Sequence, residues 1–392
     1  MKLKNILLIA ASFPYLLNTS CSKEKSINNN YTSGALPVAA FMISEPQSIT
    51  GKQVSFTDIS TDADDDIVTQ LWDFADGTPI EQSKNSAHTF SKAGSYLVSL
   101  TVKDKTGNTA TASKRILIKN TAQPDYGNLI GIKEKIALLY PKAMICAHRT
   151  DHENFPENSL GGIQAAIENQ VNIVEIDTRL SLDNELVIMH DATTARTTTG
   201  NHTIAQKTLN ELKQLKLLFN GTPTNYEIPT LKECLIAAKG KVYVDIDASW
   251  DNTLNYYNRI YNEVAALNMV NMVFFYTETP AVAKGLLDLD SDVIVLLGAG
   301  NDTDWNNANN MNPKAKLWHL AEKTLNANYT SNPFTSGIRF FANAYVNSSI
   351  APPLSGKDLI VDNLINNKVS IIQTDVPIHI KNYLQAGNLW LR

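Results

Sequence analysis

Two patterns of apolar and polar positions divide the chain. From about residue 36 to 120, apolar residues alternate with polar ones in short runs: Val54-Ser55-Phe56-Thr57, Tyr96 to Val102, and Arg115-Ile116-Leu117-Ile118. Turn-forming clusters separate these runs, at 62–66, at Asp76-Gly77-Thr78-Pro79 and at 105–108. Period-two alternation with frequent turns predicts a small all-β sandwich. After residue 140 the pattern changes to apolar runs of strand length at 143–148, 173–178, 186–190, 242–247, 272–276, 293–297, 338–342 and 369–374. Helical periodicity separates most of them, over 159–169, 254–267 and 358–367. Strand and helix in alternation over this length predict a (β/α)8 TIM barrel, an α/β fold.

The first residues follow neither pattern. Lys2 and Lys4 precede an apolar run from Ile6 to Leu17 that ends at Ser20-Cys21. A basic start, an apolar stretch and small residues before a cysteine predict a signal peptide over 1–20 and lipidation of Cys21. Asn18 departs from the leucine usual in such signals. Polar residues 21–35 read as a tether, 36–120 as the sandwich, 121–140 as a linker and 141–392 as the barrel. The expected location is outside the cytoplasm, on a bacterial membrane through the lipid anchor at Cys21.

Composition narrows the possible partners. With 43% hydrophobic and 19% charged residues, the chain reads as globular. A net charge of −5 supplies no basic field, which argues against nucleic acid. Three cysteines provide no disulfide framework, and the apolar settings of Cys146 and Cys234 predict buried thiols. Trp305 and Trp318 read as packing residues. His152, His202, His319 and His379 read as surface or loop positions.

Chemistry gathers at the predicted strand ends. These are Ala147-His148-Arg149, Glu175-Ile176-Asp177, Met189-His190-Asp191 and Asp245-Ile246-Asp247. Carboxylates two apart on a strand share a face. The C-terminal strand ends of such a barrel form its mouth. Carboxylates suit a hard divalent cation, imidazoles suit proton transfer, and a guanidinium suits a phosphate.

The ordered set His148-Arg149, Pro156-Glu157-Asn158-Ser159, Glu175-Ile176-Asp177, His190-Asp191 and Arg196-Thr197-Thr198-Thr199-Gly200 resembles the glycerophosphodiester phosphodiesterase family. Ile228-Pro229-Thr230-Leu231 and Thr374-Asp375-Val376-Pro377 extend the likeness. The resemblance implies that His148 and His190 are the acid/base pair. It also implies Glu175, Asp177 and Asp245 as ligands of one divalent cation, Ca2+ or Mg2+. Arg149, Glu157 and Asn158 would face the substrate phosphate.

Two departures from the family stand out. Asp245-Ile246-Asp247 replaces the usual Glu-x-Lys, which puts an anion, Asp247, where a cation near the phosphate is expected. Thr150 replaces the Gly after His-Arg, adding bulk at the expected pocket floor. The implied function is metal-dependent hydrolysis of small glycerophosphodiesters to an alcohol and glycerol phosphate. Phospholipase C- or D-like cleavage of intact lipids and a non-catalytic ligand-binding barrel are the alternatives.

Trp72-Asp73-Phe74-Ala75-Asp76-Gly77-Thr78, His88-Thr89-Phe90 and Gly94-Ser95-Tyr96 resemble the PKD repeat, which implies a spacer or a module that binds glycan or protein. The acidic run 62–66 lacks the Gly and terminal Glu of a calcium-binding EF-hand loop and reads as a solvated turn.

Overall fold

The computed structural model describes residues 34–121, 127, 129–139, 141–330, 337–346, 352–353 and 356–392. The expected signal, Cys21 and most of the tether lie outside the described residues. No helix among the described residues is long and apolar enough to cross a membrane.

The N-terminal unit is the expected sandwich. One sheet joins Phe41–Ile43, Gln53–Asp58 and Asn85–Thr89. The other orders Gln47–Ile49, Thr109–Lys119, Gly94–Asp104, Ile67–Asp73 and Glu81–Gln82. Alternate residues point inward, so Val54, Phe56, Val98, Leu100 and Val102 form one core with Phe41, Trp72, Phe74 and Phe90. Trp72 is fully buried yet donates its indole N–H to the Ser83 carbonyl at 3.0 Å, which removes the cost of an unpaired donor. Residues 63–65 of the acidic turn are exposed, and Asp62 and Asp66, half-buried, each offer an oxygen within 4.8 Å of Asp104.

The C-terminal unit closes eight parallel strands into a barrel. They are β1 (Met144–Ala147), β2 (Ile173–Leu180), β3 (Tyr243–Asp247), β4 (Val273–Thr277), β5 (Ile294–Gly298), β6 (Leu317–Leu320), β7 (Arg339–Asn343) and β8 (Val369–Thr374). β8 pairs with β1 and β1 with β2, which completes the ring. Helices α1 (Leu160–Glu168), α2 (Leu231–Ala238), α3 (Leu254–Ala266) and α4 (Pro280–Leu289) cover the early strands. Ser159, Thr230 and Thr253 cap the first three, each accepting a hydrogen bond from a first-turn backbone N–H.

Barrel membership differs from the expectation at two strands. The run 186–190 is not a barrel strand, because Leu186–Ile188 pairs antiparallel with the far end of β2. Its Val187 side chain joins a separate small core with Met189, Ile204, Leu212, Leu217 and Ile228. The missing strand is β6, whose Leu317-Trp318-His319-Leu320 is short and holds no β-branched residue.

The two units touch through α3 and α4. The Asn262 side chain accepts from Ser95 N at 2.7 Å and donates to Ser95 O at 3.3 Å, substituting for a strand neighbour. Lys119 spans Asp290 at 3.0 Å and Asp292 at 2.8 Å, and Asn120 donates to Ala265 O. These contacts lie at the C-terminal ends of barrel helices, the end opposite the mouth.

Candidate active site

Cross-strand register fixes which side chains share the barrel interior. Cys146 pairs with Ile173, Glu175 with Asp245 and Asp177 with Asp247, so these positions point to one side of the wall. Glu175 and Asp245 therefore form one layer, with Asp177 and Asp247 about 7 Å nearer the mouth.

Within this stack, oxygens of Glu175, Asp177 and Asp247 lie within 4.8 Å of one another. Two residues named from the sequence fall differently in this grouping. Asp247, expected beside the phosphate, stands with the carboxylates, and Asp245, expected there, does not. The reason is reach. Glu175 starts from the deeper layer but has an extra methylene; Asp245 lacks it and stays low. Asp245 is 2% exposed, and its Oδ1 has no hydrogen-bond partner.

Burial raises the carboxyl pKa of Glu175, and its neighbours Asp177 and Asp247 push it further the same way. Asp177 is raised by burial and then by Asp247. Asp245 is pushed well above the ordinary carboxylate range by burial, with Asp247 and Asp177 adding to it. Such crowding of anions in a low-dielectric wall is costly unless a cation joins them. Three converging hard oxygen donors fit a divalent ion such as Ca2+ or Mg2+.

Both imidazoles are braced by carboxylates. His148 Nδ1 lies 2.7 Å from Asp375 Oδ1, just beyond β8, and His190 Nδ1 lies 2.7 Å from Asp191 Oδ1. Each pairing fixes the ring and leaves Nε2 as the atom for chemistry. Although its segment is not a barrel strand, His190 reaches the mouth. Met189 N donates to Asp177 O at 2.9 Å, and the Arg179 guanidinium holds the His190 carbonyl.

Arg149 sits in a left-handed conformation, φ 51°, with its guanidinium 3.3 Å from Glu157 and 3.8 Å from Asp177. Its buried Nε has no hydrogen-bond partner, which leaves a donor beside the carboxylates. Asn158 donates to Asp177 Oδ2 at 2.6 Å and accepts from Asp177 N at 3.2 Å, so it orients that carboxylate. Glu157 joins Arg149 to Arg196, which it meets at 2.6 and 2.8 Å. Arg196 continues to Asp191 at 2.7 Å and, ahead of the His190 contact, holds that carboxyl down at about 2.

Thr150, expected to fill the pocket floor, turns toward α1 instead. A Cβ on Gly162 would lie 2.1 Å from its Oγ1. Gly162 thus makes room for the side chain that replaces glycine, although Thr150 keeps the left-handed φ of 73°.

Sequence reasoning gave no role to Asp375, Asp191 or Arg196. All three stand inside the ordered motifs, which was the available signal. Two of the four histidines read as surface or loop positions are closer to the site. His152 Nδ1 lies 2.9 Å from the His148 carbonyl, and His319 belongs to β6. Cys146 and Cys234 are buried, and Trp305 packs edge-on against Trp318 at 4.9 Å, as expected.

Residues 148–328 match the glycerophosphoryl diester phosphodiesterase family, and residues 34–118 match the PKD domain. A glycerophosphodiester phosphodiesterase of Caldanaerobacter subterraneus is 37% identical over 94 residues, 24% of this chain and 39% of that protein. Mouse glycerophosphodiester phosphodiesterase 1 is 28% identical over 174 residues, 42% of this chain and 52% of that protein. The chain thus spans about half or less of the length of these relatives.

Among solved structures, a glycerophosphoryl diester phosphodiesterase from Parabacteroides distasonis superposes with a TM-score of 0.57 at 19% identity, covering 66% of this chain and 93% of that one. An Oleispira antarctica phosphodiesterase, solved with the product sn-glycerol-3-phosphate, gives 0.52 at 20% identity, covering 62% and 97%. At these identities the likeness is one of fold. The family models place a glycerophosphoryl diester phosphodiesterase domain at 148–328, and a PKD domain at 34–118 precedes it.

Proposed function

We propose that the barrel hydrolyses glycerophosphodiesters to an alcohol and glycerol phosphate, with His148 and His190 as its acid/base pair and one divalent cation bound by Glu175, Asp177 and Asp247. The observation that carries this reading is the convergence of those three carboxylates within 4.8 Å, together with two imidazoles each anchored through Nδ1.

When bound, the cation supplies positive charge to nonbridging phosphate oxygens. The chain's own groups do the rest. The Arg149 guanidinium, beside Asp177, donates a charge-assisted hydrogen bond to the phosphate. One imidazole takes the proton of the attacking hydroxyl or water at Nε2. The other gives a proton to the leaving alkoxide. Asp375 and Asp191 hold the two rings in the tautomer that presents Nε2, and Arg196 keeps Asp191 ionised and in place. Asn158 holds the Asp177 carboxylate in one orientation, and that carboxylate would be one of the cation's ligands.

Calorimetric titration with Ca2+ and Mg2+ tests the cation site independently of turnover. Stoichiometric binding to the wild type, weakened in Asp177→Asn, is the expected result, and equal affinity in both proteins contradicts it. Export and attachment to a membrane through lipidated Cys21 form part of the same proposal, because the leader pattern of residues 1–21 supports them.

A further inference from the structure

The half of the barrel mouth opposite the histidines has a chemistry of its own. Register carries the inward face from Asp247 to Tyr276, and from Gly298 to His319 and then Phe341. The rings of Tyr276 and His319 approach edge-on at 5.4 Å, on either side of β5, where Gly298 contributes no side chain. Phe341 backs His319 at 4.9 Å and is fully buried, whereas Tyr276 and His319 are only partly so.

Two polar contacts set this wall. His319 Nε2 lies 3.0 Å from Asn343 Oδ1, and Tyr276 donates its hydroxyl to Glu278 Oε1 at 3.1 Å. Gly298 also makes space for Glu278, whose Cγ would lie 3.3 Å from an added Cβ. Burial pushes the His319 imidazole down to about 4, so the ring adds no positive charge at neutral pH. Among the described residues Glu278 has no ion pair. The wall is therefore aromatic and anionic.

A carboxylate there repels a simple phosphodiester, yet it suits a substrate that carries its own cation. An ammonium group is attracted by aromatic faces and by a carboxylate together, whereas a neutral polyol gains nothing from the charge. We propose that Tyr276, His319 and Glu278 form a head-group subsite selective for phosphodiesters bearing a quaternary or primary ammonium, such as choline or ethanolamine esters. This rests on the reading of the site as a phosphodiester hydrolase and adds which alcohol it favours. The phosphate lies at the Arg149 and carboxylate side, and the ammonium lies against the adjoining wall from β4 to β6.

Ligand affinity tests the subsite separately from catalysis. The full chain is titrated in Ca2+ with phosphocholine and with glycerol 3-phosphate, two phosphomonoesters that differ in the charge of the alcohol. The wild type should bind phosphocholine at least about twofold more tightly, the lower range for an ammonium over an aromatic face. Glu278→Gln should weaken phosphocholine while making glycerol 3-phosphate bind no less tightly, since the change removes an anion. Tyr276→Leu should narrow the same ratio. Wild-type affinities that are equal or favour glycerol 3-phosphate overturn the subsite, as does failure to bind phosphocholine. A ratio unchanged in Glu278→Gln also overturns it. Loss of hydrolysis in a turnover assay would instead count against the catalytic reading, so the two failures are distinguishable.

Discussion

The Asp375 carboxylate lies 2.7 Å from His148 Nδ1, although the two residues are 227 positions apart. β8 and β1 are neighbours in the barrel, so closure of the ring joins the first strand end to the last. The account makes Asp375 a positioning residue for His148. Asp375→Asn should lower kcat by about 10- to 100-fold, the usual cost of removing a supporting partner. It should also alter the acidic limb of the pH–rate profile while KM changes little. An unaltered profile with normal kcat contradicts the role.

Asp247 provides a second test, because its position differs from the sequence expectation. With Asp247 near the phosphate as a bare anion, Asp247→Lys should lower KM for simple glycerophosphodiesters. Under the proposed site the outcome is the opposite: an ammonium at 247 would stand beside Glu175 and Asp177 and compete with the cation. Asp247→Lys should therefore abolish calorimetric Ca2+ binding, and Asp247→Asn should weaken it by about tenfold or more. A lower KM with intact ion binding restores the earlier picture.

Glu263, on α3, gives a pH-dependent stability change away from the active site. It lines a crevice of about 540 Å3 between sandwich and barrel, with Asp76, Lys92, Tyr96, Glu185 and Lys232 among its neighbours. Its buried Oε2 has no partner. Burial, and then Glu185, raise its carboxyl to about 7. A folded-state pKa above the unfolded value means that the folded state holds the proton more tightly. The destabilisation is thus absent near pH 4, grows as pH rises through 4.5 to 7, and is constant above. Glu263→Gln should raise stability at pH 8 by roughly 1 to 3 kcal/mol and leave it unchanged at pH 4. Denaturant melts at both values check this, and equal gains at both would contradict the assignment.

Membrane attachment is tested at the other end of the chain. Under the proposed export and lipidation at Cys21, Cys21→Ser should move the protein from the membrane to the soluble fraction, because acyl chains would supply the attachment. Unchanged partitioning would point to a different anchor.

The sequence made the strand–helix alternation and the candidate site residues readable, but not their depth. The helices stood out because apolar periodicity ran between clear caps, as at Ser159 and Thr253. The run at Leu186–Ile188 reads like a barrel strand because the small core beneath it is as apolar as the barrel interior. Strand β6 escaped notice because His319 interrupts a four-residue run. Asp375 drew no role because nothing local shows that ring closure brings it to His148. Asp245 and Asp247 share one face, and only the reach of Glu175 from the layer below decides which of them meets it.

The central claim is cation-dependent phosphodiester hydrolysis by the two imidazoles, and phosphorus NMR of glycerophosphocholine incubated with the full chain measures it most directly. With Ca2+ or Mg2+ present, the diester resonance should give way to that of glycerol phosphate. Chelation should stop the conversion, and His148→Ala and His190→Ala should each slow it by at least about 100-fold. A diester signal that persists in the presence of either ion, or one that disappears equally fast in the His148→Ala protein, contradicts the account.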